Sequence, residues 1–127
     1  ILVEGGVPIS AGENLHTIYD FQHMLQANGV SFIEPDVSNC GGITVWMKVA
    51  KLAEAKNLPV TSHGVHDIHV HLLGAVPNAS YLEVHGFGLE RFILEPLVVK
   101  DGFALAGEAP GHGIDFNWDG LCAHTSD

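Results

Sequence analysis

Short apolar segments alternate with segments whose apolar residues recur at helical spacing, and this alternation restricts the fold more than any other feature of the sequence. The apolar segments are residues 7–11, 30–34, 58–62 and 81–84. The segments between them have the length and spacing of helices. Strands that alternate with helices pair in parallel through right-handed crossovers. The sequence therefore predicts an α/β fold with the order β-α-β-α-β-α-β up to residue 84.

Local signals predict where the helices begin and end. Thr17, followed three residues later by Asp20, predicts a capped helix start, and Asn28-Gly29 predicts the end of that helix. The next predicted helix covers residues 43–56. Asp67 is expected to cap a third helix over residues 68–76, which Pro77 would end.

The alternation stops after residue 84. Residues 97–105 carry Asp101-Gly102 between apolar arms, which predicts a hairpin. Residues 109–120 are rich in glycine and are expected to form an irregular loop. At the other end, the first six residues, ILVEGG, have the pattern of a last helical turn followed by a double-glycine stop. We therefore expect this chain to be part of a longer polypeptide.

Composition excludes some classes of function. A hydrophobic content of 46% supports a core, and fifteen acidic residues against five Lys and Arg give a formal net charge of −10. A nucleic-acid partner needs clustered positive charge, so we expect none. We expect no membrane segment either, because apolar runs of about 20 residues are absent from the sequence. Cys40 and Cys122 form no C-x-x-C pair or disulfide framework, which favours reduced thiols and a cytoplasmic location.

Four ionisable residues stand at or just after the predicted strands: Glu13, Asp36, His63 and Glu83. The carboxyl ends of parallel strands in a (β/α)8 barrel meet on one face, where active sites are built. We therefore expect these four side chains on one rim, converging within about 10 Å.

Residues 60–76 hold four histidines, but their spacing argues against a zinc site. His69 and His71 would lie about 200° apart around a helix, so a structural or solvated role is expected for both. His66 is expected to face the loop region that carries His63 and to line a pocket there. His63 is different, because neighbouring strands lie about 4.8 Å apart and Asp36 ends the preceding strand. A carboxylate there could accept the imidazole N–H and orient the other nitrogen as a base.

The stretches AGEN, EPDVSNCGG, SHG and YLEV resemble the C-terminal part of the mandelate racemase-like group of the enolase superfamily. The resemblance implies the C-terminal part of a (β/α)8-type barrel in residues 1–84 and a segment in residues 85–127 that returns to a capping domain. It implies that Glu13 is one of three carboxylate ligands to Mg²⁺, that Asp36 and His63 form the catalytic dyad, and that Glu83 is a hydrogen-bonding acid beside the substrate carboxylate. The other two ligands, a lysine pair and the capping domain would precede Ile1.

The implied chemistry is abstraction of the proton α to a carboxylate, with Mg²⁺ offsetting the charge of the enediolate. Dehydration of an acid sugar to a 2-keto-3-deoxy acid is the first hypothesis. A racemase or epimerase of a 2-hydroxy acid is the second, and a non-catalytic fragment is the third. The expected partners are a small carboxylate substrate and the remainder of the polypeptide, and a homo-oligomer is compatible with the resemblance.

Overall fold

Four extended segments lie side by side and run in the same direction in the computed structural model, which describes residues 5–86 and 89–124. Strand β1 (Ser10–Ala11) pairs in parallel with β2 (Phe32–Ile33), with Ser10 opposite Phe32. Parallel bridges then join Ile33 to Val60 and Val60 to Ala79. The order across the sheet therefore follows the order along the chain, and the pairing is parallel, as the alternating sequence pattern predicted.

The fourth predicted strand is wrong over residues 81–84, because this segment forms no ladder and the last parallel bridge lies earlier, at Ala79. Hydrogen bonds between its backbone and side-chain hydroxyls hold this segment instead of backbone ladder bonds. The Thr61 hydroxyl donates to the Tyr81 carbonyl at 2.6 Å, and the Glu83 N–H donates to Ser62 Oγ at 3.2 Å. These two hydrogen bonds hold Glu83 beside the third extended segment.

Three helices follow the first three extended segments: α1 (Ile18–Gln26), α2 (Ile43–Glu54) and α3 (His66–Gly74). Thr17 and Asp20 form the predicted capping box, in which the Asp20 N–H donates to Thr17 Oγ1 and the Thr17 N–H donates to the Asp20 carboxylate at 2.9 Å.

The predicted start of the third helix is wrong. Helix α3 begins at His66, after Val65, and Asp67 lies in its first turn rather than at its cap. The Asp67 carboxylate accepts the backbone N–H of Leu97 at 3.1 Å. A contact with the C-terminal segment therefore occupies the side chain that was expected to cap the helix.

The core lies between α1, α2, α3 and the sheet. Trp46, Phe21 and Ile33 are its largest fully buried apolar side chains. It also contains Leu25, Val30, Val37, Cys40, Val49, Ala50, Ala53, Val60, Leu72, Leu73 and Val76. The helices thus cover one face of the sheet and fix the positions at which the extended segments end.

The C-terminal segment contains the predicted hairpin. Strands β3 (Val98–Lys100) and β4 (Phe103–Leu105) are antiparallel, and both turn residues, Asp101 and Gly102, have positive φ. A 3-10 turn at Leu89–Phe92 precedes the hairpin.

The expectation of an irregular loop over residues 109–120 is wrong at its end. The short helix α4 (Trp118–Cys122) begins there, and Asn117 caps it by accepting the Gly120 N–H. The predicted helical turn at the start of the chain falls on residues 1–4, which lie outside the described part. Within the described residues, none of the helices has the length and apolarity needed to span a bilayer.

Candidate active site

The structure brings Asp36 and His63 within hydrogen-bonding distance, although 27 residues separate them in the sequence. Asp36 follows β2 after two residues, and His63 follows the extended segment around Val60. His63 Nδ1 lies 3.1 Å from Asp36 Oδ2. An ionised carboxylate can only accept, so Nδ1 carries the hydrogen and Nε2 holds the lone pair. The second nitrogen of His63 is therefore the basic one.

The surroundings of Asp36 keep it ionised. Its side chain is buried, and burial alone would raise its pKa. However, the Ser38 N–H and hydroxyl both donate to Asp36 Oδ1, at 2.7 and 2.6 Å, and His63 donates to Oδ2. These hydrogen bonds outweigh burial, and the pKa of Asp36 lies below its ordinary value.

His63 is correspondingly more basic than an ordinary histidine. The hydrogen bond to Asp36 raises its pKa, partial burial opposes the rise, and the negative charges of Glu83, Asp36 and Glu13 add to it. Glu83 also lies beside His63 in space, since ligand atoms of the two side chains are within 4.8 Å of each other.

Glu83 is held by two donors that approach the same oxygen. The Gly64 N–H donates to Glu83 Oε2 at 3.3 Å, and His85 Nε2 donates to it at 2.8 Å. Both hydrogen bonds engage Oε2, and they fix the orientation of the carboxylate beside His63.

Glu13 lies two residues after β1, where its carboxylate accepts hydrogen bonds from the chain around it. The Gly12 N–H donates to Oε2 and Asn14 Nδ2 donates to Oε1, both at 3.0 Å. Gly12 has a φ of +141°, and a Cβ added at this residue would lie 3.0 Å from the Glu34 carbonyl oxygen. Only glycine fits this approach of the Glu13 turn to the chain after β2.

Two residues of this cluster were missed in the sequence. Glu34 directly follows β2 and accepts from the Ser10 hydroxyl at 2.7 Å; burial raises its pKa, and the charges of Glu83 and Glu13 raise it further. His85 contacts Glu83, and its ring lies 5.1 Å from that of His63, edge to face. Glu34 stands directly after a predicted strand, so the rule that active-site residues lie at the carboxyl ends of strands would have found it. Side chains alternate between the two faces of an extended segment, so Glu83 and His85, two residues apart, lie on the same face.

The other three histidines of residues 60–76 lie outside the Asp36–His63 pair. His66 Nδ1 accepts the backbone N–H of His85 at 3.3 Å, and His66 Nε2 lies 3.5 Å from Asp67 Oδ2. His69 is fully buried in α3, and His71 borders a cavity between α3 and the C-terminal segment.

Among the described residues, one group of three side chains lies close enough together to hold a metal ion. Ligand atoms of His63, Glu83 and His85 lie within 4.8 Å of one another. That nitrogen-rich set suits a softer ion, whereas Mg²⁺ prefers oxygen ligands. The carboxylates of Glu13 and Glu83 supply such oxygens, so these two side chains fit Mg²⁺ better than the two imidazoles do.

Known proteins resemble this chain along most of its length. Residues 2–120 match the enolase C-terminal domain-like family. The chain is 50% identical over 121 residues to 3,6-anhydro-alpha-L-galactonate cycloisomerase of Streptomyces coelicolor, covering 95% of this chain and 34% of that protein. It is 30% identical to D-xylonate dehydratase of Haloferax volcanii, covering 92% of this chain and 30% of the relative.

Solved structures show the same likeness. A racemase from Streptomyces coelicolor with bound magnesium superimposes with a TM-score of 0.89 at 47% identity, over 95% of this chain and 33% of that one. L-talarate dehydratase from Polaromonas, in complex with Mg and L-glucarate, gives 0.85 at 30% identity, over 95% and 33%. The chain spans about a third of the length of these relatives. The predicted fold class is confirmed: this is the C-terminal part of a (β/α)8-type barrel, and the chain belongs to the enolase superfamily, in its mandelate racemase-like group.

Proposed function

We propose that the complete protein dehydrates an acid sugar to a 2-keto-3-deoxy acid, with His63 as the base that removes the proton α to the carboxylate. The observation that carries the proposal is the 3.1 Å hydrogen bond between His63 Nδ1 and Asp36 Oδ2, which fixes the tautomer and makes Nε2 basic. Dehydratases of D-xylonate and L-talarate are among the relatives that share this part of the chain.

Each step can be assigned to a side chain. His63 Nε2 takes the α-proton, and the electron pair of the C–H bond moves toward the carboxylate to form the enediolate. The pair then returns to form the C2–C3 double bond as the β-hydroxyl leaves. His63, now protonated, returns its proton to the departing oxygen, which leaves as water, and the resulting enol becomes the 2-keto acid. Asp36 stabilises the imidazolium between these two transfers.

Glu13 is proposed as a ligand of Mg²⁺, which when bound offsets the charge that develops on the substrate carboxylate. Glu83 is proposed to contact a carboxylate oxygen of the substrate through Oε1. The remaining ligands and the substrate-selecting domain would come from the rest of the polypeptide, toward which residues 85–127 are proposed to return. A homo-oligomer and a cytoplasmic location remain part of the proposal.

A second candidate is ring opening of an anhydro acid sugar. It is favoured by the 50% identity to a cycloisomerase of 3,6-anhydro-alpha-L-galactonate. The ether oxygen of that substrate is on C3, β to the carboxylate, so the same abstraction and elimination would expel an oxygen that stays attached to the product. Racemisation or epimerisation needs the α-proton to be replaced on the opposite face without loss of an oxygen.

The test is solvent exchange at the α-carbon in the complete protein. His63→Asn should lower incorporation of deuterium from D₂O into the substrate by about 10² to 10⁴-fold, measured by proton NMR, and should abolish 2-keto product. Fold and Mg²⁺ affinity should be unchanged. His23→Asn, on the exposed surface of α1, is the matched control and should keep the wild-type rate.

Two outcomes would contradict the proposal. Exchange at the original rate in the His63 variant would show that another group is the base. Exchange without any loss of oxygen from the substrate would rule out dehydration. A product with an opened ring would then indicate cycloisomerisation, and a product that differs only in configuration at the α-carbon would indicate racemisation or epimerisation.

A further inference from the structure

His69 is a fully buried histidine whose two ring nitrogens are both hydrogen-bonded to backbone. The Val37 N–H donates to His69 Nε2 at 3.1 Å, and His69 Nδ1 lies 3.0 Å from the Gly64 carbonyl oxygen. An N–H can only donate and a carbonyl can only accept. The ring is therefore neutral, with its hydrogen on Nδ1 and its lone pair on Nε2.

The two partners of His69 adjoin the two members of the proposed dyad. Val37 follows Asp36, and Gly64 follows His63. One rigid ring thus joins the loop after β2 to the turn at the end of the next extended segment. From these contacts we propose that His69 is a positioning residue, which sets the distance and angle of the Asp36–His63 hydrogen bond without touching the substrate. This inference deepens the proposed function and rests on His63 being its base.

The turn that carries His63 requires such support. Gly64 has a φ of +62°, and Val65 has a φ of +25°. Positive φ is unfavourable for a β-branched residue and persists only where surrounding contacts impose it. The hydrogen bond from the His69 ring to the Gly64 carbonyl is one contact of this kind, and the backbone N–H of His69 donates to the Val65 carbonyl at 3.1 Å.

The loop that carries Asp36 is held on both sides. The His69 ring lies 6.0 Å from that of Trp46, and Trp46 Nε1 donates to the Pro35 carbonyl at 3.1 Å. Pro35 and Val37 flank Asp36 directly. Their hydrogen bonds to two buried side chains therefore define the position from which Asp36 reaches His63.

The two hydrogen bonds of the His69 ring, to the Val37 N–H and the Gly64 carbonyl, need the neutral form of His69. Protonation would put a hydrogen on Nε2 and remove the acceptor for the Val37 N–H. Burial lowers the pKa of His69, against smaller upward effects of the Gly64 carbonyl and Asp36, and the charge of His63 lowers it further. The environment thus preserves the form that both hydrogen bonds require.

Substitutions in the complete protein test the inference. His69→Leu removes both hydrogen bonds, whereas His69→Gln keeps one acceptor and one donor. Leu72→Ala truncates another buried residue of α3 without touching either hydrogen bond, and it controls for lost packing. The readouts are the pKa of His63, from NMR of the substrate-free protein, and the kcat and KM of the reaction.

His69→Leu should lower the pKa of His63, because the Asp36 hydrogen bond that raises it would be weakened. It should also reduce kcat by about 10 to 100-fold with KM little changed, as expected for a displaced catalytic group. His69→Gln should recover part of both losses. Leu72→Ala should lower the melting temperature and leave the pKa of His63 unchanged.

Three results would overturn the inference: an unchanged His63 pKa in folded His69→Leu, a Gln variant no better than Leu, or a shift as large in Leu72→Ala. Wild-type protein gives a test that needs no variant to fold. Nitrogen-15 shifts of His69 should show the hydrogen on Nδ1 and no titration between about pH 5 and 8. A ring that titrates in this range would refute the proposed pair of hydrogen bonds. The NMR readouts need no substrate, so they decide this inference even if the proposed reaction is wrong.

Discussion

Replacing Gly64 by alanine should damage the candidate site more than the fold. Gly64 has a φ of +62°, and a Cβ added there would lie 2.9 Å from Asp36 Oδ2. Alanine in left-handed backbone costs about 1–2 kcal/mol wherever it occurs. At Gly64 it also pushes against the carboxylate that orients His63.

The size of the effect follows from the distance. Ordinary contact begins near 3.4 Å, so the carboxylate or the turn must move by about 0.5 Å. A displacement of about 1 Å typically costs about 100-fold in rate. Half that displacement corresponds to a loss of about tenfold, or about 1.4 kcal/mol of activation free energy.

The assay is the rate of α-deuterium exchange in the complete protein, beside thermal unfolding. Gly102→Ala is the matched control, because Gly102 has a φ of +82° and nothing within 4 Å of an added Cβ. Both variants should lose similar stability from backbone conformation, and only Gly64→Ala should lose rate. If the two variants exchange at equal rates while both are folded, the contact with Asp36 does not control the site.

Three further predictions follow from other side chains. Glu13→Gln should weaken Mg²⁺ binding in calorimetry, since an amide is a poorer ligand for a hard dication than a carboxylate. The control Glu54→Gln, on the surface of α2, should leave the Mg²⁺ affinity unchanged. Equal affinities in the two variants would show that Glu13 is not a metal ligand. Asp36→Asn should lower the pKa of His63 and move the acidic limb of the pH–rate profile to lower pH, because the proposed base then stays unprotonated further into acid. An unmoved limb would show that Asp36 does not act on the proposed base. Burial raises the pKa of the Cys40 thiol to about 11, so this thiol should resist iodoacetamide at neutral pH until the protein unfolds. Mass spectrometry would measure the labelling, and rapid labelling of the folded protein would contradict the burial of Cys40.

The sequence predicted features that depend on neighbouring residues and on strand order. The Thr17–Asp20 capping box and the Asp101-Gly102 turn are local, and both are present in the structure. Placing Asp36 and His63 together needed only the rule that parallel strands end at one rim. Their proximity followed without knowledge of any long-range contact.

The errors arose where distant residues compete for a polar group. Asp67 accepts an N–H from Leu97, 30 residues away, instead of capping α3. The backbone of residues 81–84 is bonded to hydroxyls of Thr61 and Ser62 instead of a strand. Neither choice is visible in local propensity, because it depends on which segments the folded chain brings together.

His69 was expected to be structural or solvated, and its position in the core agrees with a structural role. The partners of its ring were beyond prediction, because the rule for strand ends says nothing about which backbone groups a buried helix side chain such as His69 will contact.

The hydrogen bond from the Val37 N–H to the buried His69 ring also makes the Val37 amide a probe of local opening in the loop after β2. Backbone amides in loops usually exchange with solvent quickly, because brief local opening exposes them. The Val37 amide donates to a nitrogen that water cannot reach in the closed structure. Its exchange should therefore be as slow as that of core amides, and its protection factor would measure how often the site opens at all.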